Sequence, residues 1–191
     1  MRRILRRREV VEDDWRVLGE EGAEESPPGT SPLPAGDVTA TAAPVPRLQA
    51  ASPALIVPFA EFRTHTAKWR AYAGRLGVRL SPVDAVEDLA EDIQRLSLVA
   101  AEFPTPGEGR GYTQGRLLRS RLQFKGELRA VGAAVKQDLL FILSRCGFDS
   151  FELAAGQKIE EASRALDRYS VAYQPAEPVP SIRQQRYRAA G

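Results

Sequence analysis

A chain of 191 residues, 43% hydrophobic and 27% charged, has the make-up of one globular domain with extensions. Its 27 basic and 25 acidic side chains leave a net charge of +2, a balance that argues against wholesale nucleic-acid binding. With one cysteine, Cys146, and one histidine, His65, the chain has no internal disulfide, no cysteine-held iron–sulfur cluster and no structural zinc site, and no metal site is assigned.

Residues 1–8 are basic but run into Glu9, Glu12, Asp13 and Asp14 rather than an apolar segment, so no secretory signal is expected and cytoplasm is the default. Residues 1–18 read as an N-terminal arm in which Val10, Val11, Trp15, Val17 and Leu18 suffice to dock a short strand on a domain. The carboxylates of Glu12, Asp13 and Asp14 lack the glycine-turned spacing of a calcium loop. Residues 19–53 are rich in proline (Pro27, Pro28, Pro32, Pro34, Pro44, Pro46 and Pro53) and poor in large apolar residues, as in a flexible linker or surface loop. The longest apolar stretch, 50–60, is too short to cross a bilayer and contains two prolines, so no membrane partner is expected.

Residues 54–173 alternate between strand and helix patterns. Residues 55–59 form a first apolar run. Phe62, Thr66, Trp69, Ala73 and Leu76 then recur at helical spacing until Gly77. A second strand at 78–80 precedes Asp84 and Glu87, spaced as a capping box, and a helical stripe of Val86, Leu89, Ile93 and Leu96. The third strand, 98–101, ends at Glu102, and a helix is expected over about 112–122. The fourth strand, 128–131, is followed by a helix lined by Val135, Leu139, Ile142, Leu143 and Cys146 and closed by Gly147. A fifth strand at 148–153, a helix carrying Ile159, Ala162, Leu166 and Tyr169, and a further strand at 171–173 complete the pattern. The fold class is therefore α/β: alternating units forming a five- or six-stranded, mostly parallel sheet, either open and doubly wound or an incomplete barrel. Residues 174–191, with Pro175, Pro178 and Pro180 before Arg183, Arg186 and Arg188, read as a disordered basic tail.

Ligands of both architectures collect at the carboxyl ends of the strands, which directs attention to the loop after the third strand. Gly107, Gly109 and Gly111 alternate there, ahead of a helix start that favours an anion. The spacing fits neither the dinucleotide fingerprint nor a P-loop. The anion-binding candidates are Gly109, Arg110, Gly111, Tyr112 and Gln114, against a simple tight turn; Glu102 at the strand end is the candidate acid or base. Arg116, Arg119, Arg121 and Lys125 form a candidate docking face for an acidic partner, against the solvated side of a helix. Cys146 reads as a small core hydrophobe and His65 as a surface histidine.

Several blocks resemble a bacterial family known as domain of unknown function 934. They are Val11-Glu12-Asp13-Asp14-Trp15, Gly74-Arg75-Leu76-Gly77-Val78, Gly109-Arg110-Gly111-Tyr112, Gly126-Glu127-Leu128-Arg129-Ala130-Val131-Gly132, Arg145-Cys146-Gly147-Phe148-Asp149 and Ser170-Val171-Ala172-Tyr173-Gln174. The chain departs from that pattern at Thr113 (serine expected), Gly115 (alanine expected) and Ala133 (aspartate expected), and 19–53 is longer than usual. The resemblance implies a gene neighbourhood with assimilatory sulfite reductase and a description as an oxidoreductase of sulfite reduction. Six-electron sulfite chemistry commonly uses a haem-type centre coupled to an iron–sulfur cluster, and one cysteine cannot hold such a cluster. The expectation is therefore an accessory protein of assimilatory sulfur metabolism, acting with sulfite reductase by contact or by binding an anionic intermediate. A small oxidoreductase dependent on an added cofactor of unknown kind and a pure protein-interaction module are the alternatives.

Overall fold

The computed structural model describes residues 2–19 and 53–166. Residues 20–52 of the linker expected over 19–53, the strand at 171–173 and the tail at 174–191 lie outside the described residues. The chain starts with two short strands, β1 (Arg3–Arg6) and β2 (Glu9–Glu12), then β3 (Arg16–Val17). After residue 53 come β4 (Leu55–Pro58), helices α1 (Phe59–Thr64) and α2 (Thr66–Arg70), and β5 (Leu76–Leu80). Two 3-10 turns, Val86–Leu89 and Ile93–Arg95, lead to β6 (Leu98–Glu102). Helix α3 (Arg110–Ser120), β7 (Glu127–Val131), α4 (Leu140–Arg145), β8 (Ser150–Phe151) and α5 (Ile159–Leu166) follow.

The strands form one sheet of eight in the order β2-β1-β8-β7-β6-β5-β4-β3. From β3 to β8 every neighbour is parallel; β1 pairs antiparallel with both β8 and β2. The five or six strands expected become eight because the arm contributes three. The run from β4 to β8 never reverses direction, as a doubly wound sheet must at its switch point. The sheet is instead curled, an incomplete barrel. Among the described residues no helix is long and apolar enough to cross a membrane.

Strand alternation divides the sheet into two faces. Val57, Val78, Val99, Ala101, Leu128 and Phe151 enter the main core, and every helix sends its buried apolar side chains to the same cluster. The other face carries Ile56, Leu98, Ala100 and Val131, closed over by Trp15 of the arm. The Arg75 guanidinium lies 5.0 Å from the Trp15 ring centroid and pairs with Asp14.

A buried ion network fastens the arm to this second face. Arg129, 1% exposed, donates from Nη1 to Asp13 at 2.9 Å and from Nη2 to Glu127 at 2.8 Å. Glu127 also accepts from the Ser150 hydroxyl at 2.8 Å and pairs with Arg6 at 3.3 Å. Arg2 bridges Asp13, at 2.6 Å, and Glu152, at 3.0 Å. Three cations meet three carboxylates, so the charge is balanced where burial would otherwise be costly.

Several helical expectations are corrected. The stripe from Phe62 to Leu76 is two short helices broken at His65, whose φ is −122° and ψ 40°. The Thr64 and Thr66 hydroxyls bond back to the carbonyls of Ala60 and of Phe62 and Arg63, the side-chain competition that discourages a continuous helix. Leu76 and Gly77 already belong to β5, where Gly77 makes room for Leu98 and Ile56. The Asp84–Glu87 capping box does not form. Asp84 turns back to accept from the Ser81 amide at 2.6 Å, and 3-10 turns replace the helix while keeping Val86, Leu89, Ile93 and Leu96 buried. In α4 the inward residues are Leu140 and Leu143, whereas Ile142 is half exposed. Gly147 closes α4 with φ +98°, as read from the sequence.

Candidate functional site

At the carboxyl edge, β6 delivers Glu102 and the buried Phe103, and the glycine loop leads into α3. Two of the candidate residues are packing elements. A Cβ on Gly111 would lie 2.6 Å from the Phe103 ring, and Tyr112 meets the same ring edge-on at 5.1 Å. Gln114 is 4% exposed, and its amide donates to the carbonyls of Ser81 at 2.8 Å and Asp84 at 3.0 Å. It ties α3 to the segment after β5, while its Oε1 is buried without a hydrogen-bond partner.

Arg110 and the α3 start already hold an anion, and it is Glu108. The Arg110 backbone amide and Nε both donate to Glu108 Oε1, at 3.1 and 2.8 Å, and Nη2 donates to Oε2 at 2.7 Å. Hydrogen bonds from Arg110 draw the Glu108 carboxyl down to about 2. An external anion would have to displace this internal carboxylate. The linkage has a definite sign: a depressed folded-state value contributes stability above the ordinary carboxylate range and loses it as pH falls toward 2. Glu108→Gln is therefore expected to unfold at a lower urea concentration than wild type at pH 6, with the two curves converging near pH 2. A gap that persists unchanged at pH 2 would show that the carboxylate is not its source.

Glu102 is half-buried and accepts from Arg79 Nη2 at 3.1 Å. The four residues read as a docking face do not share one. Arg121 pairs with Glu87 at 3.2 Å, and Arg116 is exposed on α3. Arg119 turns inward: its Nε donates to the Gly147 carbonyl at 3.0 Å and its Nη1 to those of Phe124 and Gly126 at 2.7 and 2.9 Å. Its Nη2 reaches Asp149 at 3.1 Å. Burial raises the Asp149 carboxyl above its ordinary value and lowers the Arg119 guanidinium, each opposed by the other's charge.

This inward turn exposes what the sequence did not group. A cleft of about 520 Å³ opens at the amino ends of β7 and β8, the edge opposite the glycine loop. Arg119 and Lys125 line it together with Arg7 and Arg8 from the β1–β2 turn, and its aromatic lining includes Phe124 and Phe148. The signal for Arg7 and Arg8 was their position between Arg6 and Glu9, in a two-residue hairpin flanked by Ile4-Leu5 and Val10-Val11.

His65 is exposed and pairs with Glu61 at 3.1 Å. Cys146 is partly buried against the core, and burial pushes its thiol up despite nearby Arg116 and Arg145. It should be alkylated by iodoacetamide at pH 7.5 several-fold more slowly than in the urea-unfolded chain. Equal rates would mark an accessible, activated thiol.

Residues 77–181 match the model of the family described as bacterial protein of unknown function (DUF934). That span is more than half of the chain, and the chain belongs to this family. A search of curated proteins returns no match.

Proposed function

We propose that this chain is an accessory protein of assimilatory sulfur metabolism that works alongside sulfite reductase by binding an anionic intermediate. The observation that carries the binding half of this reading is the gathering of Arg7, Arg8, Arg119 and Lys125 around one cleft. Cationic side chains converging on a concave, partly apolar surface raise the local concentration of an anion and give it a fixed seat. The same geometry weighs against a docking face, because Arg119 points inward and Arg121 is held by Glu87. The sulfur half rests on the family resemblance alone.

A deletion strain tests the role. It is expected to grow more slowly than its parent on sulfate or sulfite as sole sulfur source and normally on cysteine. Equal growth on all three would overturn the assignment to sulfur assimilation.

A further inference from the structure

The β1–β2 turn places two consecutive arginines in a backbone region that L side chains avoid. Arg7 has φ 47° and Arg8 φ 74°. Arg6 pairs with Glu9, so these two residues are the whole connection, the two-residue hairpin for which Asn-Gly is the favoured solution. A non-glycine residue is disfavoured in this region, and two in succession are rare. The turn is also fixed from both sides. The Arg7 amide donates to the Asp149 carbonyl at 2.8 Å, and the Ser163 hydroxyl donates to the Arg8 carbonyl at 2.8 Å. Strain held in place by surrounding structure, beside a cleft, points from geometry to binding.

The cleft's chemistry narrows what it takes. Among the described residues the one carboxylate lining it, Asp149, is engaged by Arg119 and by the Leu128 amide at 2.9 Å, so it offers an incoming anion little repulsion. Arg119 is committed to three carbonyls and to Asp149 and acts as a floor, and the exposed Arg7 and Lys125 line the cleft beside it. The volume of about 520 Å³ is many times a water's share of ~30 Å³, more room than a lone tetrahedral oxyanion fills. The rest of the lining joins four apolar side chains, Phe124, Phe148, Phe151 and Leu166, to the polar Gln123 and Ser144 and to Arg8.

We propose that the cleft between the Arg7–Arg8 turn and the amino ends of β7 and β8 binds a monoester of phosphate or sulfate carried on an apolar body. The oxyanion sits at Arg7 and Lys125, and the body lies over the aromatic floor. This inference rests on reading the cleft as the anion site, and it adds the ligand's second, organic half.

Calorimetric titration of the full chain with 4-nitrophenyl phosphate, 4-nitrophenyl sulfate, inorganic phosphate and inorganic sulfate tests it and separates the two head groups. At least one aryl ester is expected to bind tenfold or more tightly than its inorganic ion. Arg7→Gly and Lys125→Ala should each weaken that ester tenfold or more. Glycine is at ease at this φ, so Arg7→Gly should lose affinity without a lower melting temperature. Inorganic ions binding as tightly as the esters would overturn the organic half. No ester binding, or equal binding by wild type and both variants, would overturn the site. Neither result touches the growth test, and ester binding in a protein whose deletion strain grows normally would keep the site while removing the sulfur role.

Discussion

Arg129→Met is expected to destabilise the fold by about 3–5 kcal/mol, the range for removing one partner from a buried ion pair. The side chain is 1% exposed and joins Asp13 to Glu127, so its loss leaves two buried carboxylates facing each other. Arg2 and Arg6 offset part of that charge, but both reach in from more exposed positions. For a chain of this size the change corresponds to roughly 6–20 °C in melting temperature. Urea unfolding followed by tryptophan fluorescence provides the measurement. The two tryptophans are Trp15 in the arm and Trp69 in α2, and the Trp15 amide lies 3.4 Å from Asp13 Oδ1. The arm should therefore loosen first. Adding Asp13→Asn and Glu127→Gln to Arg129→Met should recover a large share of the loss, because the cost lies in uncompensated charge rather than in lost packing. A single-variant loss below about 1 kcal/mol would mean that the network is solvated and contributes as a surface pair does.

This network shows where sequence reading succeeds and where it stops. The alternation of β4 to β8 with helices is legible because side-chain periods of 2 and 3.6 are local properties of the chain. The stripe Val86, Leu89, Ile93 and Leu96 correctly names buried residues, yet its spacing suits a 3-10 turn as well as an α-helix. The Asp84–Ser81 hydrogen bond decides between them. Nothing local to the fourth strand marks Arg129 as buried, and only a partner 116 residues away makes it a core residue. Arg119 is similar: three carbonyls from two loops capture it. The hairpin at Arg7 and Arg8 lacked the Asn or Gly that marks such turns, so the sheet gained strands that composition did not announce. The cleft draws on residues from 7 to 166, an assembly that no local motif encodes.

The glycines make the same point, and they permit a second prediction of comparable size. Gly109 and Gly132 both stand in blocks that carry the family resemblance, and their structural duties are opposite. Gly132 has φ +115°, and a Cβ there would lie 2.6 Å from the Phe103 carbonyl oxygen and 2.9 Å from its carbon. Backbone atoms cannot rotate away as a side chain can. The Phe103 carbonyl also accepts from the Ala134 amide at 3.0 Å, so moving it breaks the turn that follows β7. Phe103 in turn packs on Gly111, Tyr112 and Phe148. Gly132→Ala combines backbone strain of about 1–3 kcal/mol with overlap of about 1–3 kcal/mol, a loss of roughly 2–6 kcal/mol by urea unfolding. Gly109 has φ −93° and open space around its would-be Cβ. Gly109→Ala should therefore be neutral or add about 0.4–1 kcal/mol by restricting the unfolded chain. If the two variants prove equally stable, the close approach of β7's exit to Phe103 is wrong. If they diverge as expected, the exit of β7 is fixed by the Phe103 backbone at Gly132, and the open space at Gly109 tolerates a side chain.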